Sequence, residues 1–326
     1  MPRFVATIQE DALNIFIDIL LFSIGLILII KGGDMFVDSA VWIAEKSGIP
    51  KVIIGATLVS FATTLPEITV SVLATLSGSN EIAVGNSVGS VNANIGLVLS
   101  VCAIFCPFVI KRRTFFPSGF LMLLAIGTIY VFSISGRLLP LGSVILVLIF
   151  VSFMLVNVNQ AKQAPQQENG KVSGSIGGHL ICFIIGVAAI VIGARLLVDR
   201  GQSLALRFGV PESIIGVTLV AIGTSLPELV TSITAAVKKQ GALSVGNILG
   251  ANIIDTTLII PLCSFISGGT LTLAPQTLLV DMPASIVLGA ACVLPTLFSR
   301  RLMRGQGFFM VALYIAYMFF MLRFSL

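Results

Sequence analysis

Apolar residues fill the chain in runs of about 20, separated by short polar or basic stretches. A hydrocarbon core of about 30 Å needs about 20 helical residues to cross it, so each run reads as a spanning helix. Ten runs follow, at approximately 14–42, 52–77, 81–106, 116–134, 139–156, 179–203, 212–237, 243–266, 276–298 and 305–325. The longest polar break, NQAKQAPQQENGKVSGSIGG at 159–178, is rich in Gln, Gly and Ser and reads as a flexible linker. It separates two halves of five helices each, 1–158 and 179–326. The expected fold class is an all-α polytopic membrane protein.

Composition sharpens that picture. Only 10% of the 326 residues are charged and 56% are hydrophobic, with mean hydropathy +1.08. Soluble domains carry about 25% charged residues, so no large soluble domain fits. The net charge of +5 sits mostly in loops, where it sets orientation. Loops after helices 1, 3, 5, 7 and 9 hold twelve basic residues: Lys46, Lys51, Lys111, Arg112, Arg113, Lys162, Lys171, Lys238, Lys239, Arg300, Arg301 and Arg304. The other side holds five, Arg3, Arg137, Arg200, Arg207 and Arg323. The richer side is expected in the cytoplasm, with both termini on the opposite face. No basic patch comes with exposed aromatics, which argues against nucleic acid as a partner. The acidic lead-in QEDALN and the lack of a small-residue cleavage site argue against a removed signal peptide.

A shift of 161 residues lays residues 25–99 onto 186–260 with 25 of 75 positions identical and no gap. GATLVSFATTLPE lies over GVTLVAIGTSLPE, and VGNSVG over VGNILG. Duplication explains this better than chance between apolar segments. Five helices is an odd number, so the second copy must enter the membrane from the other side. The expectation is two inverted five-helix repeats, a hallmark of secondary transporters.

The chemistry concentrates where the repeat is strongest. Pro66 has no N–H, so the Ala62 carbonyl loses its helical partner. Pro227 does the same for Gly223. Each proline precedes a glutamate, Glu67 or Glu228. A carboxylate at membrane depth costs about 2.5–3.5 kcal/mol on insertion scales, so each needs a partner or a wet cavity. Ser60, Thr64, Glu67 and Ser71 share one face of a regular helix, as do Ala221, Ser225, Glu228 and Ser232. Asn86, Ser90 and Asn94 recur every fourth residue in the third helix, and Asn247, Ala251 and Asp255 in the eighth. Gly85, Gly89, Gly246 and Gly250 allow close helix packing. Every ligand in this set is oxygen. That excludes thiolate or imidazole chemistry and favours hard cations, calcium above magnesium. The five cysteines, Cys102, Cys106, Cys182, Cys263 and Cys292, read as small core side chains, and His179 as an interfacial residue.

These paired stretches, GATLVSFATTLPEITVS with VGNSVGSVNANIG and GVTLVAIGTSLPELVTS with VGNILGANIIDTTLI, resemble the two alpha repeats of the sodium/calcium exchanger family, in the short form of prokaryotic members. The repeats fall at about 52–100 and 213–261. The resemblance implies calcium/sodium antiport across the cell (inner) membrane, with no cofactor and no enzymatic step. It implies calcium bound by Glu67 and Glu228 with backbone oxygens at Thr63 and Thr224, completed by Asn94 and Asp255. It implies flanking sodium sites using the carbonyls of Ser60 and Ala221 and the hydroxyls of Thr64, Ser225 and Ser90. It also implies that helices 1 and 6 form the moving gate. Ala251 departs from the family's usual serine, and Val91 and Asn92 from its usual pattern. With Glu67, Glu228 and Asp255 ionised the site carries −3, which three sodium ions neutralise and one calcium ion leaves at −1. Protons are expected to compete, so proton/calcium exchange stays open as the alternative, with a cation channel or a non-transporting sensor behind it.

Other features have plainer readings. GNSVG at 85–89 matches a hydrolase elbow but lies within a spanning helix, and its partner GNILG has no serine. Lys31 and Asp34 read as a local ion pair or snorkelling side chains, with Arg195 at the repeat position of Asp34. Asp38, Asp199 and Asp281 read as structural or rim residues, and the Phe-rich end after residue 307 as lipid-facing.

Overall fold

The computed structural model describes residues 2–163, 174–208 and 223–325, with side chains from residue 14 to 163 and thereafter to 323. The chain is mostly helical. Its helices are α1 (Pro2–Ser47), α2, α3 (Asn80–Phe105), α4 (Arg112–Phe132), α5 (Pro140–Lys162), α6 (Ile176–Arg207), α7 (described over Leu226–Val237), α8 (Gly241–Ile266), α9 (Thr277–Ser299) and α10 (Arg304–Ser325). Helix α2 consists of two limbs, Lys51–Thr63 and Leu65–Leu76, that meet at 46°. Among the described residues, eight further helices and this bent pair are long and apolar enough to cross a membrane. The first part of the seventh run, before Gly223, lies outside the described residues, as does 164–173 of the expected linker. Helices α1 and α6 extend past their apolar runs because the polar residues at their ends continue the helix rather than stop it.

Burial separates the centre from the rim. Of the apolar windows of α3 and α8, 72% and 83% are buried, against 22% and 28% for α1 and α6. The glycine-rich, amide-bearing helices therefore form the core, and α1 and α6 pack mainly on each other at the edge. Their seam is close. A methyl on Gly32 would stand 2.9 Å from the Gly186 carbonyl oxygen, so only glycine lets the two backbones meet there. The Phe-rich α10 shows the expected division. Phe308, Phe309, Phe319 and Phe320 are exposed, while Met310, Tyr314, Tyr317 and Met321 pack inward.

Four two-residue strands depart from the all-helical expectation. They are β1 (Phe108–Val109), β2 (Arg137–Leu138), β3 (Leu271–Thr272) and β4 (Arg301–Leu302). Strand β1 pairs with β4, and β2 with β3, both antiparallel. Each pair joins one half to the other and bonds loop backbone where the helices stop. They also sort the loops by face. Loops after α3 and α9 meet, and loops after α4 and α8 meet. Arg113 donates to Gln163 Oε1 at 2.5 Å, joining the start of α4 to the end of α5. Lys51 Nζ donates to Gln240 Oε1 at 3.0 Å, joining the start of α2 to the loop before α8.

Some readings change. Asp34 ion-pairs at 3.0 Å with Lys238 beyond α7, and Asp38 pairs with the same lysine at 2.7 Å. Asp281, read as structural or rim, is buried, which fits the structural reading. It accepts from Tyr317 at 3.2 Å and its carbonyl accepts from Asn92 at 3.0 Å, tying α9 to α10 and α3. His179 stacks on Trp42 with ring centroids 4.1 Å apart. All five cysteines are free thiols.

Candidate cation site

The break in α2 falls at Thr64, with ψ near 0°, and the second limb restarts with Pro66 in its first turn. The matching break in α7 falls at Ser225, with Pro227 in the equivalent place. Proline favours a helix start and removes a ladder hydrogen bond from the turn before it, so the two Leu-Pro-Glu triplets suit both breaks. Each break sets a glutamate in the first turn of the new limb. The bend alters one expectation. Ser71 does not join Ser60, Thr64 and Glu67 in one cluster. It accepts from Asn86 Nδ2 at 3.0 Å, and Ser232 accepts from Asn247 Nδ2 at 3.1 Å. Asn86 and Asn247 are thus braces between neighbouring helices. Asn86 also stands 3.4 Å from the Glu67 carbonyl oxygen.

Helices α3 and α8 carry the opposite wall. Asn94 opens a wide π-helical turn, Asn94–Leu99, and Asp255 opens Asp255–Ile259. Such turns cluster at functional sites because they re-aim side chains and loosen the backbone ladder. Helix α8 presses against α2. A methyl on Gly250 would meet the Ala56 carbonyl and stand 2.5 Å from Ser60 Oγ.

Glu67, Glu228, Asp255, Asn94, Ser60, Thr63, Thr64, Ser90 and Ser225 are all buried. Thr224 is half-buried at the α7 break, and Ala221 lies outside the described residues. The carboxylates of Glu67, Glu228 and Asp255 are near enough for their charges to repel. The hydrogen bonds then divide the set. Thr63 Oγ1 lies 3.2 Å from both Ser60 O and Asn247 Oδ1. Thr64 Oγ1 donates to Ser60 O at 2.7 Å and stands 3.3 Å from Glu228 Oε1. Both oxygens of Glu67, both of Asp255, Glu228 Oε2, Asn94 Oδ1, Ser90 Oγ and Ser225 Oγ are buried without a partner. Buried polar groups are ordinarily bonded, and an unpaired one costs about 1–3 kcal/mol, more when charged. These oxygens carry no matching donor. Bare oxygens of this kind suit a hard cation.

Among the described residues no three acidic, cysteine or histidine side chains converge tightly enough to hold an ion alone. The neutral oxygens of Asn94, Ser90 and Ser225 are buried and unpaired beside the same carboxylate-bearing helices. One residue escaped the sequence reading. Asn252 Oδ1 accepts from Asn94 Nδ2 at 3.0 Å, which turns Asn94 Oδ1 inward. Its repeat position is Val91, so symmetry gave no signal, although an amide in a buried glycine-rich helix is itself a marker.

An apolar cavity of about 670 Å³ lies between α6 and the two breaks. Pro66, Thr69, Val187, Val191, Thr224 and Pro227 are among its walls.

Broken helices with buried carboxylates and unpaired neutral oxygens are features of polytopic proteins that carry hard cations. The profile of the sodium/calcium exchanger protein family matches residues 17–159 and 178–323. The chain belongs to this family, a class of membrane antiporters that move calcium against another cation. Sodium/calcium exchanger MaX1 of Methanosarcina acetivorans is 28% identical over 343 residues, covering 93% of this chain and 97% of that one. Inner membrane protein YrbG of Escherichia coli is 34% identical over 262 residues, covering 76% and 80%. The solved structure of the sodium-calcium exchanger NCX_Mj soaked with 10 mM Na+ and zero Ca2+ superposes with a TM-score of 0.81 at 31% identity, covering 93% of this chain and 98% of that one.

Proposed function

We propose that the protein exchanges Ca2+ for Na+ by alternating access across the cell membrane. The observation that carries this reading is the group of eight unpaired oxygens on α2, α3, α7 and α8, five of them from carboxylates. Calcium takes 6–8 oxygens at about 2.3–2.6 Å, mixed from carboxylate and neutral donors. In this reading Glu67, Glu228, Asp255 and Asn94, with the backbone oxygens of Thr63 and Thr224, form the calcium site. Sodium uses the same carboxylates with Ser90, Ser225, Thr64 and the carbonyls of Ser60 and Ala221. Shared ligands are the coupling: either ion neutralises the site, and the empty site with its repelling carboxylates does not cross the membrane.

The halves are inverted repeats in this reading. Its support is the Lys51–Gln240 contact. Gln240 is the repeat partner of Ser79, at the far end of α2 from Lys51. Equivalent loops thus lie at opposite ends of the helices. The loops after α1, α3, α5, α7 and α9 face the cytoplasm, and both termini face outside. Helices α1 and α6 move as one gate, a role suited to their close seam and to the apolar cavity that separates α6 from the core.

The test is radioactive calcium uptake by purified protein in liposomes under an imposed sodium or pH gradient. Uptake should follow the sodium gradient, and Glu67→Gln and Glu228→Gln should each abolish it. Uptake that ignores sodium and follows pH would replace this reading with proton/calcium exchange. Flux without an exchanging ion on the other side would indicate a channel.

A further inference from the structure

We propose that Lys238 is a positioning residue of the transport cycle. It latches α1 to the core at one end only, and so holds the carrier in the state that is open along α6. The inference rests on the alternating-access reading above, in which α1 and α6 form the gate.

The gate meets the core along two seams that the 161-residue shift relates. On the first, Val230, Thr234 and Lys238 recur every fourth residue toward the end of α7 and meet Gly33, Asp34 and Asp38 of α1. A methyl on Gly33 would stand 3.0 Å from Val230 Cγ1 and 3.1 Å from Thr234 Oγ1. Lys238 Nζ lies 3.0 Å from Asp34 Oδ1 and 2.7 Å from Asp38 Oδ1. It also donates to the Asp34 carbonyl at 3.3 Å. Val230, Thr234 and Lys238 are half-buried, so this seam is shut. Its image sets Thr69, Leu73 and Ser77 of α2 against Ala194, Arg195 and Asp199 of α6. There Thr69, Leu73 and Ser77 are all exposed. Thr69 stands on one wall of the 670 Å³ cavity, and Ala194, Arg195 and Asp199 on the other. This seam is open.

One repeated contact is thus present in two packings, shut at α1 and open at α6. A carrier built from inverted repeats turns by exchanging such packings. The other state then shuts α6 on α2 and parts α1 from α7. The latch has no counterpart in that state. Ser77, at the repeat position of Lys238, carries no charge, and Arg195 stands at the repeat position of Asp34. Parting α1 from α7 breaks two ion pairs, and closing α6 on α2 replaces neither. The side chains of Lys238, Asp34 and Asp38 are 27%, 46% and 68% exposed, so each pair is weak. Two pairs on one lysine, lost in only one of two near-balanced states, move the balance roughly fivefold.

The test is labelling of the full-length protein in liposomes by a membrane-permeant maleimide. Single cysteines are placed at Thr69 on the open seam and at Thr234 on the shut one, and rates are read against the parent chain. Without added variants, Thr69→Cys should label faster than Thr234→Cys. Lys238→Gln should slow the first and speed the second, changing their ratio roughly fivefold, and Lys238→Arg should restore it. Salt at about 1 M, where screening acts within about 3 Å, should shift the ratio in the same direction and have little effect once Lys238→Gln is present. Ser77→Lys with Arg195→Asp installs the image of the latch and should also favour the shut α6 seam. An unchanged ratio in Lys238→Gln overturns the proposal. Faster labelling at both cysteines overturns it too, because a merely structural lysine would loosen both. If neither cysteine responds when the sodium and calcium gradients are reversed, α1 and α6 are not the gate, and the alternating-access reading itself fails.

Discussion

The two halves of the site share a scaffold and differ in their ligands. On the α2–α3 side Asn86 braces Ser71 at 3.0 Å, and on the α7–α8 side Asn247 braces Ser232 at 3.1 Å. Both breaks carry Leu-Pro-Glu, and both π turns start at matching positions, Asn94 and Asp255. The oxygens presented from this frame are not equivalent. Glu67 offers two free oxygens and Glu228 one. Asn94 is neutral where Asp255 is charged, and Ser90 is a hydroxyl where Ala251 is a methyl. Duplication preserved the frame because bends, braces and glycine contacts decide whether the helices pack at all.

The comparison can be broken most severely at the glutamates. Glu67→Gln and Glu228→Gln should each lower calcium uptake at least a hundredfold, with residual calcium binding lower in Glu67→Gln because it loses the more open ligand. Isothermal titration with calcium checks the order, and a stronger loss at Glu228 would contradict the assignment of free oxygens. Next come the charged and neutral partners. Asp255→Asn should weaken calcium binding at least tenfold. Asn94→Asp should hold calcium but slow its release, since a fourth carboxylate deepens the site. Calcium exchange rates under saturating sodium distinguish these outcomes. A smaller, structural effect separates Gly250 from its repeat partner Gly89. Gly250→Ala should cost about 1–3 kcal/mol through overpacking, since its methyl meets Ala56 and Ser60 Oγ. Gly89→Ala meets nothing within 4 Å and should be near neutral. Thermal unfolding in detergent gives both. The smallest effect is the most symmetric. Ser71→Ala and Ser232→Ala should each cost about 0.5–1.5 kcal/mol, the net worth of one hydrogen bond, and by similar amounts. A large difference between them would show that the frame is less symmetric than its braces indicate.

Much of this was legible from one chain. Pro66 and Pro227 announced the two breaks because proline removes a ladder hydrogen bond and its ring crowds the preceding turn. Glu67, Glu228 and Asp255 stood out because a carboxylate in an apolar run has to find a partner. The repeat connected them. The placement of Ser71 was misread because face periodicity assumes a straight helix, and the 46° bend at Thr64 turns the second limb away. Asp34 was matched to its sequence neighbour Lys31, whereas its partner Lys238 is 204 residues away. Local spacing carries no information on such pairs. The place of Asp281 near the start of α9 fits a structural or a rim role, and the neighbouring α10 decides for the structural one by covering it with Tyr317.

The sequence by itself determined the membrane class, the duplicated halves, the two breaks and the oxygen-only chemistry. Each of these follows from a local rule: the length of an apolar run, the missing N–H of proline, the cost of burying charge. Only the tertiary structure decided which oxygens are already engaged and which are free. Thr64 and Ser225 are equivalent hydroxyl positions in sequence, yet one is bonded to the Ser60 carbonyl and the other has no partner. That distinction depends on how four helices approach one another within tenths of an ångström, and residue order alone does not contain it.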